Sequence, residues 1–368
     1  MNLSKDDKIW INEIWQKLSI KLEKNAIDLQ DIIPYSTTNG KYTDMSKEDV
    51  GWWTNGFFGG MMWLMYNETK KECFKIAAEK QEKILDGVFD IYDRFDHDIG
   101  FVWGLTSKAN YILNGDKKSR ARSLFAANIL AARANIKANF IRAWNGIKEY
   151  SIIDCMMNLP ILYWASTELK DNRFKYIAQM HADMALNEHI RDDGSVVHIC
   201  VHDEETPKII RTEAGQGYAV GSAWTRGQSW AVYGFALSYI YTGEEKYLEA
   251  SKKTADYFLE NVKISNYKTV TDFSAPLDAG LFDNSAGACA SCGMIELYKL
   301  TKDEKYLDGA LKILKAMEED MILDDTNQSI VQKCMLSYSD GRHVDLVYAD
   351  FFLCEAILKL KGSDYLIW

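Results

Sequence analysis

The sequence predicts an all-α protein, an (α/α)6 barrel of about twelve helices in an inner and an outer ring. Three observations lead there. Only four prolines (Pro34, Pro160, Pro207 and Pro276) fall in 368 residues, and alternating β patterns are short and rare, so helical periodicity runs on with few interruptions. A degenerate repeat recurs as YNETKKECFKIA, LNGDKKSRARSLFA, LKDNRFKYIA, YTGEEKYLEA and LTKDEKYLDGA: a turn, then charges, then an aromatic and a small residue opening an amphipathic helix. That is the pattern of stacked helical hairpins. Finally, the segments before each turn are apolar nearly all round, whereas those after it carry a charged face. An open solenoid would not need one class of helix so fully buried.

In chain order the periodicity predicts helices near 5–25, 53–66, 70–93, 98–112, 116–136, 151–168, 171–189, 224–241, 244–260, 284–299, 303–320 and 346–361. The stretches 26–52, 190–223 and 262–283 are rich in Gly, Asp, Thr and Ser and longer than a hairpin needs. They are expected together at one end of the barrel, where function sits on loops. No linker divides the chain, so residues 1–368 read as a single domain.

Composition excludes several functions. With 53 acidic and 43 basic residues the formal charge is −10, which argues against nucleic acid and against a polybasic membrane surface. The opening MNLSKDDKIWINEIW has charges where a signal peptide needs an apolar run, and no uncharged apolar stretch is long enough to span a bilayer. A soluble, cytoplasmic protein is expected. Seven cysteines, an odd and scattered number, suit buried free thiols; Cys289 and Cys292 form a C-x-x-C without a second pair. The six histidines show no metal-ligand spacing, so neither a metal nor a cofactor is indicated.

A few polar residues stand out against this background. Asp154 interrupts the apolar run SIIDCMMNLPILYWAS (151–166), where burial would favour its protonated form and suit it to proton donation near neutral pH; a structural acid bonded to backbone or arginine is the plainer reading. FDHDIGFVWG (95–104) supplies Asp96, His97 and Asp98 ahead of another helix. One aspartate there is explained as a helix cap, but not both, and two carboxylates on facing inner helices are what acid/base work on a sugar requires. Trp52, Trp53, Phe57 and Phe58 cluster in WWTNGFFGGMMW (52–63). Arg226 and Trp230 stand at i and i+4 in GQGYAVGSAWTRGQSWAVYGFAL (215–237), a pairing suited to a carboxylated sugar ring, the fork on the carboxylate and the indole on a sugar face. A buried guanidinium there needs an anion. His198 lies in RDDGSVVHICVHD, in a loop that reads as a short hairpin.

Taken together, DHDIGF, IIDCMMNLPILYWA, DDGSVVH and GQGYAVGSAWTRGQSWAVYGFAL resemble the unsaturated glucuronyl hydrolases, glycoside hydrolase family 88, and WTNGFFGG resembles that family's N-terminal aromatic motif. The resemblance covers residues 50 to 300 and implies the same barrel. It implies, too, a substrate left by a polysaccharide lyase, a small unsaturated disaccharide or oligosaccharide whose nonreducing uronic acid has a C4=C5 double bond. An aspartic acid protonates C4, water adds at C5, and the hemiketal opens to release the next sugar. Asp154 is then the general acid and later base. Asp98 is the second acid, which positions substrate hydroxyls. His198, Gln216 and Arg226 match substrate-binding positions, with Arg226 or Gln216 for the uronate carboxylate, and Trp53, Phe57, Trp224 and Trp230 match aromatic walls. In LSYSDGRH (336–343), Ser337, Ser339 and Arg342 are expected to meet a sulfate or carboxylate on the second sugar. An unsaturated rhamnogalacturonyl hydrolase acting on pectin fragments and a noncatalytic sugar-binding scaffold are the competing readings.

Overall fold

A computed structural model describes all residues from Met1 to Trp368. The inner ring consists of α2 (Phe57–Thr69), α4, α6 (Pro160–Leu169), α8 (Thr225–Thr242), α10 (Asn284–Thr301) and α12 (Val347–Leu360); α4 is a composite of Ile99–Trp103, a π-helical turn Gly104–Lys108 and Ala109–Asn114. Each is packed against its neighbours, and α12 returns against α2 to close the ring. The outer ring is α1 (Lys5–Asp28), α3 (Glu72–Leu85), α5 (Lys117–Ala132), α7 (Asn172–Glu188), α9 (Glu245–Val262) and α11 (Glu304–Ala316). The architecture is the (α/α)6 barrel expected. Every residue of α12 and every residue of α8 from Thr225 to Ser238 is buried, the burial that their all-round apolar sequence requires.

The repeat explains the reversals between rings. Lys70, Gly115, Lys170, Gly243 and Lys302, one in each repeat, cap α2, α4, α6, α8 and α10 in the left-handed conformation, which frees the last carbonyls of the helix for capping bonds and turns the chain outward. The residue after the turn is often Asp. Asp116, Asp171 and Asp303 each accept a backbone N–H of the following outer helix, so one short motif ends an inner helix and starts an outer one.

Two contacts lock the seam between the chain's ends. The Lys21 ammonium on α1 donates to the carbonyl oxygens of Ile322, Asp324, Asn327 and Ser329. Asp350 on α12 accepts the Tyr42 hydroxyl at 2.6 Å and the backbone N–H groups of Ile330 and Val331 at 3.0 and 2.8 Å.

The helix expected over 151–168 is divided. Tyr150–Ile152 is strand β1, Ile153–Met157 is a 3-10 turn, and α6 begins at Pro160, where a missing N–H costs nothing because the first turn has no acceptor for it. β1 pairs antiparallel with β2 (Ile199–His202), which pairs antiparallel with β3 (Ile209–Glu213). The helices expected to reach 93 and 136 stop at Leu85 and Ala132. All seven cysteines are free and six are buried, and no helix is long and apolar enough to cross a membrane.

Candidate active site

The small sheet builds the site. Pairing of Ile152 with Ile199 continues as a bond from the Ile153 N–H to the His198 carbonyl at 3.1 Å, so the two strands deliver Asp154 and His198 side by side. His198 Nε2 lies 3.6 Å from Asp154 Oδ1. The opposite edge of the imidazole is wrapped by backbone: Nδ1 lies 3.1 Å from the Ala214 carbonyl and 3.2 Å from the Gln216 N–H. That wrap depends on Gly215, whose φ is +56° and where a Cβ would fall 2.2 Å from His198 Nδ1. Only glycine fits there.

Asp98 is fixed from the same side. Asn158 Nδ2 donates to Asp98 Oδ1 at 3.0 Å and to the Asp154 carbonyl at 3.3 Å, while Asn158 Oδ1 accepts the Phe101 N–H at 2.7 Å. One amide thereby ties the Asp98 carboxyl to the backbone of Asp154. Gly100 permits it, since a Cβ there would stand 2.7 Å from Asn158 backbone and side chain alike. Asp96 Oδ1 accepts the Asp98 N–H at 2.9 Å.

These groups open onto a cavity of about 270 Å³ walled by Trp52, Trp53, Trp144, Asp154, Gln216 and Arg226 beside the Asp96–Asp98 cluster. Burial pushes the Asp154 carboxyl up to about 7, against the opposing pull of the Arg226 charge and of Trp230. Desolvation is the cause, although 14% of the side chain still faces the cavity. Asp98 is driven well above the usual carboxylate range by burial and then by the Asp96 and Asp154 charges. His97 and His198 are both pushed down to about 3 by burial, so both imidazoles are neutral. Buried polar atoms without a protein partner gather here: Asp154 Oδ1, His97 Nε2, His198 Nε2 and the indole N–H groups of Trp52, Trp224 and Trp230. Such atoms are uncommon in native folds; of these, Asp154 Oδ1 and the Trp52 N–H belong to residues that line the cavity, and a hydroxyl-rich ring is a ligand that suits them.

The residues expected at the site divide. Asp154, Asp98, Gln216, Arg226 and Trp53 line the cavity, and His198 stands behind Asp154. Phe57 does not line it; fully buried, it packs among Phe101, Phe351 and Phe352, because the 3-10 turn Trp53–Gly56 sends Trp53 to the mouth and the helix after it into the core. Trp230 is likewise buried against Phe101 and Phe352, and Trp224 supports the site from behind, tilted on His198 at 4.2 Å and under the Arg226 guanidinium at 4.5 Å. The anion that Arg226 needs is internal: Nη1 donates to Asp283 and to the Met335 carbonyl, and Nη2 to the Leu336 carbonyl at 2.7 Å. Gln216 makes no side-chain hydrogen bond in the protein and keeps its amide for the cavity. Ser337 and Ser339 are not free for an anion either. Their hydroxyls lie 2.9 Å apart, and Ser337 Oγ donates to Asp340 at 2.8 Å, which puts a carboxylate where an anionic ligand group was expected; Arg342 beside them is exposed and unpaired. Trp52, His97, Trp144 and Asn158 complete the site. Of these, His97, Trp52 and Asn158 stood in motifs already singled out, although only Asp154 was read from the one that holds Asn158, and nothing local marks Trp144.

Comparison with known proteins fits this geometry. The pattern of Glycosyl Hydrolase Family 88 matches residues 28–335. The chain is 30% identical to the unsaturated glucuronyl hydrolase of Bacillus sp. (strain GL1), over 98% of this chain and 99% of that one. It is 32% identical to the unsaturated chondroitin disaccharide hydrolase of Streptococcus pneumoniae (strain ATCC BAA-255 / R6), over 97% and 93%. The crystal structure of the Bacillus sp. GL1 enzyme superposes with a TM-score of 0.87 at 29% identity, covering 95% of this chain and 96% of that one. That of the unsaturated glucuronyl hydrolase from Streptococcus agalactiae gives 0.89 at 27%, covering 100% and 94%. A barrel of this form, with a family pattern spanning its site-bearing segments, places the chain in glycoside hydrolase family 88.

Proposed function

We propose that this chain releases the C4=C5 unsaturated uronic acid from the nonreducing end of lyase-generated glycosaminoglycan disaccharides and oligosaccharides, with the whole ring serving as one catalytic unit. The observation that carries the reading is Asp154: a carboxyl at the wall of a cavity, with a neutral imidazole as its nearest partner, held up to about 7 by burial. Such a group is half protonated at neutral pH and serves both directions of proton transfer. Asp154 gives its proton to C4 of the vinyl ether. The carboxylate left behind then takes a proton from the water that adds at C5, so that H and OH are added across the double bond and the acid is restored. The hemiketal opens and the next sugar leaves. The anomeric carbon is not attacked, so carboxylate separation carries no stereochemical meaning here.

Gln216 is the residue we assign to the uronate carboxylate, since Arg226 is already neutralised by Asp283, and Trp53 and Trp144 are assigned to the sugar faces. Asp340 on the serine hydroxyls of 337–342 favours an unsulfated second sugar. Free, buried thiols suit a cytoplasmic enzyme that receives its substrate as small fragments. The test is loss of the ultraviolet absorbance of unsaturated chondroitin and hyaluronan disaccharides, sulfated and unsulfated, with wild type and with Asp154→Asn. Loss with wild type alone supports the reaction and the acid. No loss on any of these, but loss on pectin-derived unsaturated disaccharides, would replace the substrate class.

A further inference from the structure

Behind the cavity wall sits a buried cation with no carboxylate to pair it. Arg133, just beyond α5 and only 5% exposed, gives its N–H groups to oxygens of two segments: Nη1 to the Phe95 carbonyl (2.9 Å) and Asn145 Oδ1 (2.7 Å), Nη2 to the Ala143 carbonyl (2.6 Å), and Nε to the Arg142 carbonyl (3.2 Å). One segment leads into Asp96, His97 and Asp98, and the other holds Trp144; both line the cavity. Arg133 is the staple between them.

The same contacts fix a proton. The Ala143 carbonyl faces the His97 backbone N–H and His97 Nδ1, each at 3.2 Å. A carbonyl only accepts, so the ring proton is on Nδ1, and Nε2 of the neutral imidazole is a bare lone pair. That lone pair has no hydrogen-bond partner and stands 3.3 Å from Asp98 Oδ1. An ionised carboxylate would oppose it with a second lone pair in a buried site, whereas a proton between them satisfies both. The surrounding charges decide which group holds it. After burial, the Arg133 guanidinium is what keeps His97 from taking a second proton. Asp98 is favoured in its neutral form by burial and by the Asp96 and Asp154 carboxyls, against a donated bond from Asn158 and the more distant pull of Arg133. Arg94 acts on Asp96 but is itself paired with Asp49, and Arg226 acts on Asp154.

We propose that Arg133 and His97 are positioning residues that keep Asp98 protonated at neutral pH with its proton turned to His97 Nε2, so that Asp98 meets the sugar as a neutral hydrogen-bond acceptor and not as a second negative charge. An anionic uronate then enters a site whose acids are largely neutral. That advantage rests on the proposed substrate, but the proton itself is located in the ligand-free protein, so the two ideas fail separately.

The test is infrared difference spectroscopy of the carboxylic acid carbonyl stretch at neutral pH, without substrate, on wild type, Asp98→Asn and Asp154→Asn. A neutral-acid band that vanishes in Asp98→Asn and survives in Asp154→Asn is the expected result; a wild-type spectrum unchanged by Asp98→Asn overturns the proposal. Nitrogen-15 shifts of the imidazole, assigned with His97→Gln, should report the Nδ1-protonated neutral ring, and an imidazolium or Nε2-protonated ring refutes it. In Arg133→Gln the proton should pass to His97 with loss of the Asp98 band, while Arg133→Lys, which keeps the charge, should retain it. A band equally strong in Arg133→Gln removes Arg133 from the account.

Discussion

Asp154→Asn should stabilise the folded protein while abolishing turnover, and its stability advantage should grow with pH. Asp154 has an ordinary value of 3.8 and is pushed up to about 7 in the fold. In the unfolded chain the carboxyl loses its proton near 4, whereas the folded one holds it until about 7, so between these values the native state binds more protons and stability falls as pH rises. A difference of about three pH units at about 1.36 kcal/mol each sets a ceiling of about 4 kcal/mol. Asparagine carries no charge to desolvate and fills the same space, and its amide can meet His198 Nε2 as donor or acceptor. Below about pH 4 the two proteins should therefore differ little, the gap should open between about pH 4 and 7, and above that it should stay constant. Urea unfolding at several pH values with shared m-values measures this directly. A gap independent of pH, or a variant less stable than wild type at pH 8, would refute the claim that Asp154 pays a desolvation cost in the fold.

The same protonation sets the kinetics: kcat/KM should be flat below about pH 7 and fall about tenfold per unit above it, as the acid form of Asp154 is titrated away; a flat profile to about pH 9 excludes Asp154 as proton donor. Gly215→Ala, with a Cβ 2.2 Å from His198 Nδ1 at a positive φ, should lower activity at least about tenfold with the helical circular dichroism intact, a loss of about 1.4 kcal/mol in transition-state stabilisation, and a fully active variant would show that the loop does not hold His198. Asn158→Ala strips the bonds to Asp98 and to the Phe101 N–H and should cost about 1–3 kcal/mol of stability together with activity, as read by thermal unfolding and rate. Asp340→Asn should raise the rate on sulfated relative to unsulfated disaccharides, and an unchanged ratio would separate that loop from sulfate discrimination. Lys70→Gly, Lys170→Gly and Lys302→Gly should each raise stability by up to about 1 kcal/mol by relieving left-handed backbone strain, and lower melting temperatures in all three would contradict the capping account.

The ring was legible because its signals are local. Each repeat carries its own left-handed turn and three of the five their own capping aspartate, and the inner helices are marked by apolar residues on nearly every side. Asp154 was legible as a lone charge in such a run, and Asp98 as part of a dense polar cluster. What could not be read are relations across the chain. The strand at 150–152 exists because β2, about fifty residues later, pairs with it, and that pairing turns an expected helix into the bend that presents Asp154. Arg226 advertised its need for an anion but not that Asp283, 57 residues away, supplies one. Phe57 and Trp53 share a motif, yet the 3-10 turn between them separates wall from core. Arg133 looks like an ordinary polar residue near the end of an expected helix and Asn158 like one inside another, and only the approach of 95–98 to 142–145 and to 158 gives them their places.

The clasp of Lys21 on the carbonyls of 322–329 has a consequence in time. The residues it joins are about 300 positions apart, and closing a flexible loop of that length opposes association by about 5 kcal/mol. On the ribosome α1 emerges about 300 residues before its acceptors, and α12 follows them. Until then α2 lacks its closing neighbour, and an inner ring that is apolar on all sides stands open at the seam. Nascent chains of this protein therefore expose apolar surface through most of their synthesis, and a chain truncated before residue 322 would lack the oxygens that hold its first helix in place.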